Sequence, residues 1–476
     1  MSVWKQILYN LPEVAPPTQR RLGFKEKLKW SLITLILFFV LGMVPLFGLG
    51  VNALQRFELL SIILGASFGS IISLGIGPIV TASIVLQLLN GSGILNFDLT
   101  SHEGKRTFQG IQKLLGIFFI LFEAIVYVFM GGLAPAQTLL GTGIYFQLQL
   151  LLIFQLFLGG VLILLMDEVV SKWGFGSGIS LFIVAGVAQS IMIRTLSPLS
   201  EGDSYVGAIP TILHSIFTQN PTGAVISLAG IISTLIVFVM AVYAQAMKVE
   251  IPLSFGRVRG HGMRWPLHFV YTSNIPVILV SALFANLQLW GSLLQGWATK
   301  TGSALLIKMS SMLGSFSADG QPTGGLISWL TPSNLVQATI TQGFFDGFLR
   351  LLPQTIVYLV FLTAGCVLFS YFWVQTSGMD AKSQAKNIMN SGLQMPGFRR
   401  DPRVLERLLE KKIQPLTVMG AITVGILAGI ADISGALTNG TGLLLSVMIV
   451  YRLYEDIAKQ HMMDMNPMMR KFMGGK

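Results

Sequence analysis

Apolar runs longer than a soluble core can use alternate along this chain with short clusters of charge. The first extends from Trp30 to about Gly50 without one charged residue, preceded by Lys25, Lys27 and Lys29. A helix needs about 20 apolar residues to cross a bilayer, so this run predicts a membrane span. It is too long for the apolar region of a secretory leader and lacks a small-residue cleavage site, so it is read as retained. An uncharged stretch from Leu59 to Phe97 follows, broken at Gly75-Ile76-Gly77-Pro78. Glycine and proline there predict a short half helix at about 57–72 and a full helix after the break. Further spans are predicted at about 108–132, 144–168, 176–194, 222–247, 269–294, 349–375, 414–434 and 440–458. The half helix aside, that makes ten.

Charge tests the count. With the N-terminus inside, 27 basic residues fall on inner segments and helix ends, and five fall outside: Arg56, Arg194, Lys300, Lys308 and Arg350. The bias of Lys and Arg towards the cytoplasmic side orients the chain, and one missed span would scramble it. Both termini are therefore expected in the cytoplasm. Ten spans divide into halves of five, and an odd-numbered unit repeated in tandem must be inverted. The second span of each half carries a comparable interruption, Gly75-Ile76-Gly77-Pro78 and Ser273-Asn274-Ile275-Pro276. Paired breaks point to a functional centre between the halves; two unrelated proline kinks would give the same spacing.

The resulting expectation is an all-α multi-pass membrane protein. A cytoplasmic segment 1–29 leads into a first half, 30–194, and an outer loop, 195–221. The second half, 222–458, carries cytoplasmic loops 248–268 and 375–414, and a cytoplasmic tail, 459–476, closes the chain. Composition agrees: 53% of the 476 residues are hydrophobic, 11% are charged, and mean hydropathy is +0.69. One cysteine, Cys366, excludes a disulfide framework and a multi-cysteine metal site, and five scattered histidines form no ligand cluster.

The two long inner loops are basic. One contains Ser254-Phe255-Gly256-Arg257-Val258-Arg259-Gly260 and the other Gly397-Phe398-Arg399-Arg400-Asp401-Pro402-Arg403. Plain positive-inside charge near anionic headgroups accounts for such residues; so does docking on an RNA backbone, whose phosphates Arg and Lys neutralise without reading sequence. Asp401 as cap and Pro402 as first residue predict a short helix with Leu405, Leu408 and Leu409 on one face. Residues Val3–Leu11 are spaced either as an interfacial helix or as a simple tail.

Reaction chemistry is sparse. There is no Walker loop, G-x-S-x-G, H-E-x-x-H or dinucleotide glycine fingerprint. Gly174–Gly178 opens a membrane helix and reads as a close-packing turn. The intramembrane acids are Glu123 in mid-span, Asp432 near an outer end and Asp167-Glu168 at an inner end. A membrane enzyme needs converging acid–base groups, which the sequence does not offer. A passive channel and an ion-coupled secondary transporter both remain: the basic loops favour the first, and Glu123 favours the second.

Ordered motifs over nearly the whole chain resemble the SecY family of protein-conducting translocon α subunits, the archaeal branch most closely. They are Phe24-Lys25-Glu26-Lys27-Leu28-Lys29-Trp30, Gly75-Ile76-Gly77-Pro78-Ile79-Val80-Thr81, Leu165-Met166-Asp167-Glu168 with Gly176-Ser177-Gly178-Ile179, and Tyr271-Thr272-Ser273-Asn274-Ile275-Pro276-Val277-Ile278. Pro415-Leu416-Thr417-Val418-Met419 and Gly440-Thr441-Gly442 follow in place. An outer segment at about 296–345 is longer than the family leads one to expect.

The resemblance implies two inverted halves around an hourglass pore in the cell membrane, with no enzymatic activity, cofactor or metal. Unfolded polypeptides would cross through the pore, and transmembrane segments would leave through a lateral gate. It implies a pore ring of Ile76, Val80, Ile179, Ile183, Ile278 and Leu445, and a plug over Phe57, Glu58, Leu59, Leu60, Ser61, Ile62, Ile63 and Leu64. The gate would lie where the second and third spans meet the seventh and eighth, with Thr81, Glu123 and Asn286 across it. The implied partners are a SecE (γ) subunit, a small β subunit, signal sequences and nascent chains, the lipid bilayer, and a translating ribosome docked at Arg257, Arg259, Arg399 and Arg400.

Overall fold

The computed structural model describes residues 10–19, 22–52, 66–91, 94–95, 97, 101–201, 204–218, 221–255, 262–272, 274–317, 320–390, 393–394 and 402–465. A helix lies on each of the ten predicted spans. In the first half these are α1 (Phe24–Met43), α2 (Gly77–Gly91), α3 (His102–Phe129), α4 (Gly143–Trp173) and α5 (Gly178–Leu196). In the second they are α6 (Pro221–Ala246), α7 (Ile275–Thr301), α8 (Arg350–Thr376), α9 (Pro402–Ile433) and α10 (Gly440–Met465). Among the described residues, seven helical stretches are individually long and apolar enough to cross a membrane. The stretches holding α1, α2 and α10 fall short of that measure. The 15 residues of α2 reach only about 22 Å at 1.5 Å per residue.

The interruption in each half turns out to be the start of a helix. Turns occupy residues 68–76, Gly75 takes the left-handed conformation at φ +56°, and α2 begins at Gly77 with Pro78 second. In the other half α7 begins at Ile275 with Pro276 second. Proline is at home there, because the first-turn N–H groups have no helical partner to lose.

Several expectations need correction. Residues 66–72 of the expected half helix are in extended and turn conformation rather than helix; the rest of it, 53–65, lies outside the described residues. Ser70 bridges to Pro45, and the Ile71 N–H donates to the Val44 carbonyl at 3.0 Å, so tertiary contacts with the end of α1 override helix formation. The short cytoplasmic helix and the ninth span are one helix, α9, which carries Pro415 inside it. The tail begins as a helical continuation of α10 to Met465. Outer segments contain short helices, Ala208–Phe217 and Ala304–Leu313 among them.

The inner loop 248–268 is an antiparallel hairpin of β1 (Lys248–Phe255) and β2 (Gly262–His268), with Lys248 opposite His268 and Ser254 opposite Gly262. The other inner loop adds β3 (Leu393–Gln394), pairing Phe255 with Leu393. Ile251 and Leu267 of the hairpin pack with Leu405, Leu409 and Ile413 of α9 and with Ala385 and Ile388. Two of the three leucines expected on one face after Pro402, Leu405 and Leu409, therefore close a small core, of which Leu408 is not a member. A separate, much larger apolar core fills the membrane part between the halves.

Candidate functional site

All six expected ring residues join the membrane core. Ile76, Val80, Ile183, Ile278 and Leu445 are buried, and Ile179 packs against them half-buried. Val80, Ile179 and Ile278 also line a cavity of about 510 Å³. Its other walls include Ser83, Gln87, Gln112 and, at the inner end of α10, Arg452 and Asp456. The cavity thus mixes polar side chains with a larger apolar lining that includes three of the expected ring residues. Ile76, Ile183 and Leu445 are absent from its lining. Hydrophobic constrictions in channels can gate by dewetting.

Thr81, Glu123 and Asn286 come from three helices, α2, α3 and α7, and meet. The Asn286 side-chain amide donates to the Thr81 hydroxyl oxygen at 2.7 Å. The Thr81 hydroxyl lies 2.9 Å from the Gly77 carbonyl and 3.5 Å from Glu123 Oε1. One proton serves both acceptors, and the shorter contact is the better bond. Glu123 Oε2 and Asn286 Oδ1 are left without a partner in full burial. A buried unsatisfied group costs about 1–3 kcal/mol, whereas an interhelical bond in a membrane returns about 0.6 kcal/mol. The contact is weakly held.

Along the same seam, the rings of Phe122 on α3 and Trp290 on α7 meet edge to face at 6.4 Å. At the other end of α2, Gly91 lies against Phe372 of α8, where a Cβ would come within 2.2 Å of the ring. Gln112 on α3 donates to Ser83 on α2 at 2.6 Å.

The expected plug residues Phe57–Leu64 and the docking residues Arg257, Arg259, Arg399 and Arg400 lie outside the described residues. The backbone leading to the docking residues is described, however: the pairing of Phe255 with Leu393 joins the roots of both basic loops. Lys248 at the hairpin base also pairs with Glu455 of α10 at 2.7 Å. Pairing between loops separated by more than a hundred residues leaves no local sequence signal, so it is not legible in the charge pattern.

The first nine residues are likewise outside the description. Residues 13–15 are strapped to the inner end of α4: the Val14 N–H donates to Glu168 at 2.9 Å, and the Trp173 indole donates to the Ala15 carbonyl at 2.9 Å. Lys113 of α3 pairs with the same Glu168, and Lys172 pairs with Glu13. Among the described residues no group of three or more metal-ligating side chains occurs.

The family model for SecY matches residues 70–454. The chain is 42% identical over 471 residues to the protein translocase subunit SecY of Methanothermobacter thermautotrophicus, covering 98% of this chain and 97% of that one. A solved structure described as that of a protein conducting channel superposes with a TM-score of 0.79 at 40% identity, over 96% of this chain and 97% of the other. Sec61 from a canine ribosome-channel complex of the endoplasmic reticulum superposes at 0.76 and 39% identity, over 96% and 97%.

Proposed function

The chain belongs to the SecY family, and from that premise we propose that it is the pore-forming subunit of a protein translocase. It conducts unfolded polypeptides across the membrane in which its helices are embedded, the cell membrane, and releases apolar segments sideways into lipid. The carrying observation is the cavity lined by Val80, Ile179 and Ile278 together with Gln87, Gln112 and Asp456, beside a seam held by little more than one good hydrogen bond. Ile76, Val80, Ile179, Ile183, Ile278 and Leu445 form the collar. Thr81, Glu123 and Asn286 form the latch of the lateral gate, and residues 57–64 act as the plug.

The chain works without catalysis of its own. Its partners are SecE-type and small β subunits, signal sequences, nascent chains and lipid. A translating ribosome docks on Arg257, Arg259, Arg399 and Arg400 of the two basic loops; the canine relative's structure is of a ribosome-channel complex. Ion-coupled transport is set aside by family membership. Among the described residues, moreover, Glu123 forms no ion pair with a base.

Crosslinking tests the collar. Ile179→Cys and Ile278→Cys, each in a Cys366→Ser background, are expected to crosslink to a stalled nascent chain. Leu37→Cys, at a half-exposed lipid-facing position (42%) of α1, should not. Equal labelling of all three positions rejects the assignment.

A further inference from the structure

The fourth and fifth helices of each half meet in the same way. Near the inner end of α4, Asp167 Oδ1 accepts from the backbone N–H of Ile179 at 3.0 Å and from the Ser177 hydroxyl at 3.4 Å. Near the outer end of α9, Asp432 Oδ1 accepts from the backbone N–H of Thr441 at 2.6 Å. Its Oδ2 accepts from the Tyr358 hydroxyl at 2.6 Å and from the Thr441 hydroxyl. Ile179 and Thr441 are each the second residue of their helices, α5 and α10.

The first residue is glycine in both cases, and in both a Cβ would strike the preceding helix. It would come within 2.6 Å of Asp167 Cα at Gly178 and within 2.0 Å of the Ala431 carbonyl carbon at Gly440. One junction faces the cytoplasm and the other the outside, as inverted copies require.

The first turn of a helix has N–H groups with no helical acceptor, and a buried one left unpaired costs stability. The residue preceding α5, Ser177, makes no capping bond to that helix with its own side chain. The acid of the neighbouring helix provides the acceptor instead, and so ties the second residue of the pore helix to a fixed point. In α5 the tied N–H belongs to the collar residue Ile179 itself. In α10 the collar residue Leu445 lies one turn beyond Thr441, on the same face. Register is critical here. A slip of one residue turns a helix by about 100° and would present Ser180 or Gly178 where Ile179 stands.

We propose that Asp167 and Asp432 are a symmetry-related pair of positioning residues that fix the register of α5 and α10, and with it the aliphatic character of the closed collar. The proposal rests on the collar assignment above. Crosslinking to a translocating chain tests that assignment, while register is read on the idle channel, so either can fail alone.

The test uses the channel purified with its partner subunits and reconstituted into vesicles. Asp167→Ala and Asp432→Ala should each raise the idle ion leak about fivefold, the scale of losing a helix cap. The double variant should multiply the two effects, because the sites lie on different helices. Asp167→Asn and Asp432→Asn retain an acceptor oxygen and should stay within about twofold of wild type. Amide hydrogen exchange gives a second readout. The Ile179 and Thr441 amides should be protected in the wild type and should exchange about tenfold faster in the alanine variants, with mid-helix amides of α4 and α9 unchanged.

Alanine variants with wild-type leak would overturn the proposal. So would asparagine variants as leaky as alanine, or unprotected Ile179 and Thr441 amides in the wild type. If the alanine variants do not accumulate, the asparagine variants and wild-type exchange decide the question by themselves.

Discussion

The seam between α2–α3 and α7 and the junctions at Asp167 and Asp432 bury similar polar groups but treat them oppositely. At the seam, Glu123 Oε2, Asn286 Oδ1 and the Trp290 indole N–H are buried without partners. At the junctions Asp167 gathers two donors and Asp432 three. Glycines at the junctions also bring helix backbones within contact, whereas the seam is bridged by side chains. An interface that must part gains from incomplete satisfaction, because little is lost on opening. Helices that must hold one register gain from saturation. On the proposed assignment, this contrast in satisfaction separates a moving part of the channel from a fixed one.

Three changes would break or sharpen this contrast. The largest effect is expected from Gly440→Ala, which forces a Cβ to within 2.0 Å of backbone in α9. Overpacking of this kind costs about 1–3 kcal/mol, and thermal unfolding of the purified complex should fall accordingly. Gly143→Ala, where a Cβ would meet nothing within 4 Å, is the control. An unchanged midpoint for Gly440→Ala would show that the junction is as loose as the seam.

An intermediate effect is expected from Asn286→Leu. The change removes one interhelical bond, of about 0.6 kcal/mol, together with an unsatisfied buried oxygen that costs about 1–3 kcal/mol. The balance favours the closed gate, so signal sequences should need greater hydrophobicity to be inserted. A leucine-graded series of signals measures this threshold. A lowered threshold would mean that losing the bond outweighs relieving the orphaned oxygen.

The smallest effect belongs to the strap on α4. A hydrogen bond from Lys172 holds the Glu13 carboxyl below its ordinary 4.5, against a partial opposing effect of burial. A lowered folded value means that the contribution is complete above the ordinary value and is lost as pH falls through the lowered one. Glu13 is 62% exposed, so the gain is slight. Protease sensitivity around residues 13–15 should rise modestly below about pH 4, and Glu13→Gln should remove that dependence.

Much of the architecture was legible from hydropathy and charge, because crossing a bilayer imposes a length and a sign rule on the sequence itself. The aliphatic ring positions and the trio Thr81, Glu123 and Asn286 could be named from the family resemblance. The hydrogen bonds that join the trio could not be read from the sequence, because its members stand more than forty residues apart. Asp167 and Asp432 were visible as rare intramembrane acids, and Gly176-Ser177-Gly178 and Gly440-Thr441-Gly442 as motifs. Only packing showed that each acid caps the glycine-led helix after it. The turns at 68–72 were read as the end of a half helix because their composition is largely apolar, while their bonds run to the end of α1. The hairpin was missed because prolines and charges obscure its alternation.

The sequence by itself determined that this is a multi-pass helical membrane protein and where along the chain its membrane helices fall. Those features answer to a solvent, and the bilayer acts on each segment separately. Tertiary structure alone decided which polar atoms are satisfied and which are left orphaned, where the two basic loops join, and which acid holds which helix. Those depend on a few ångströms between segments distant in sequence, and no local pattern encodes such distances.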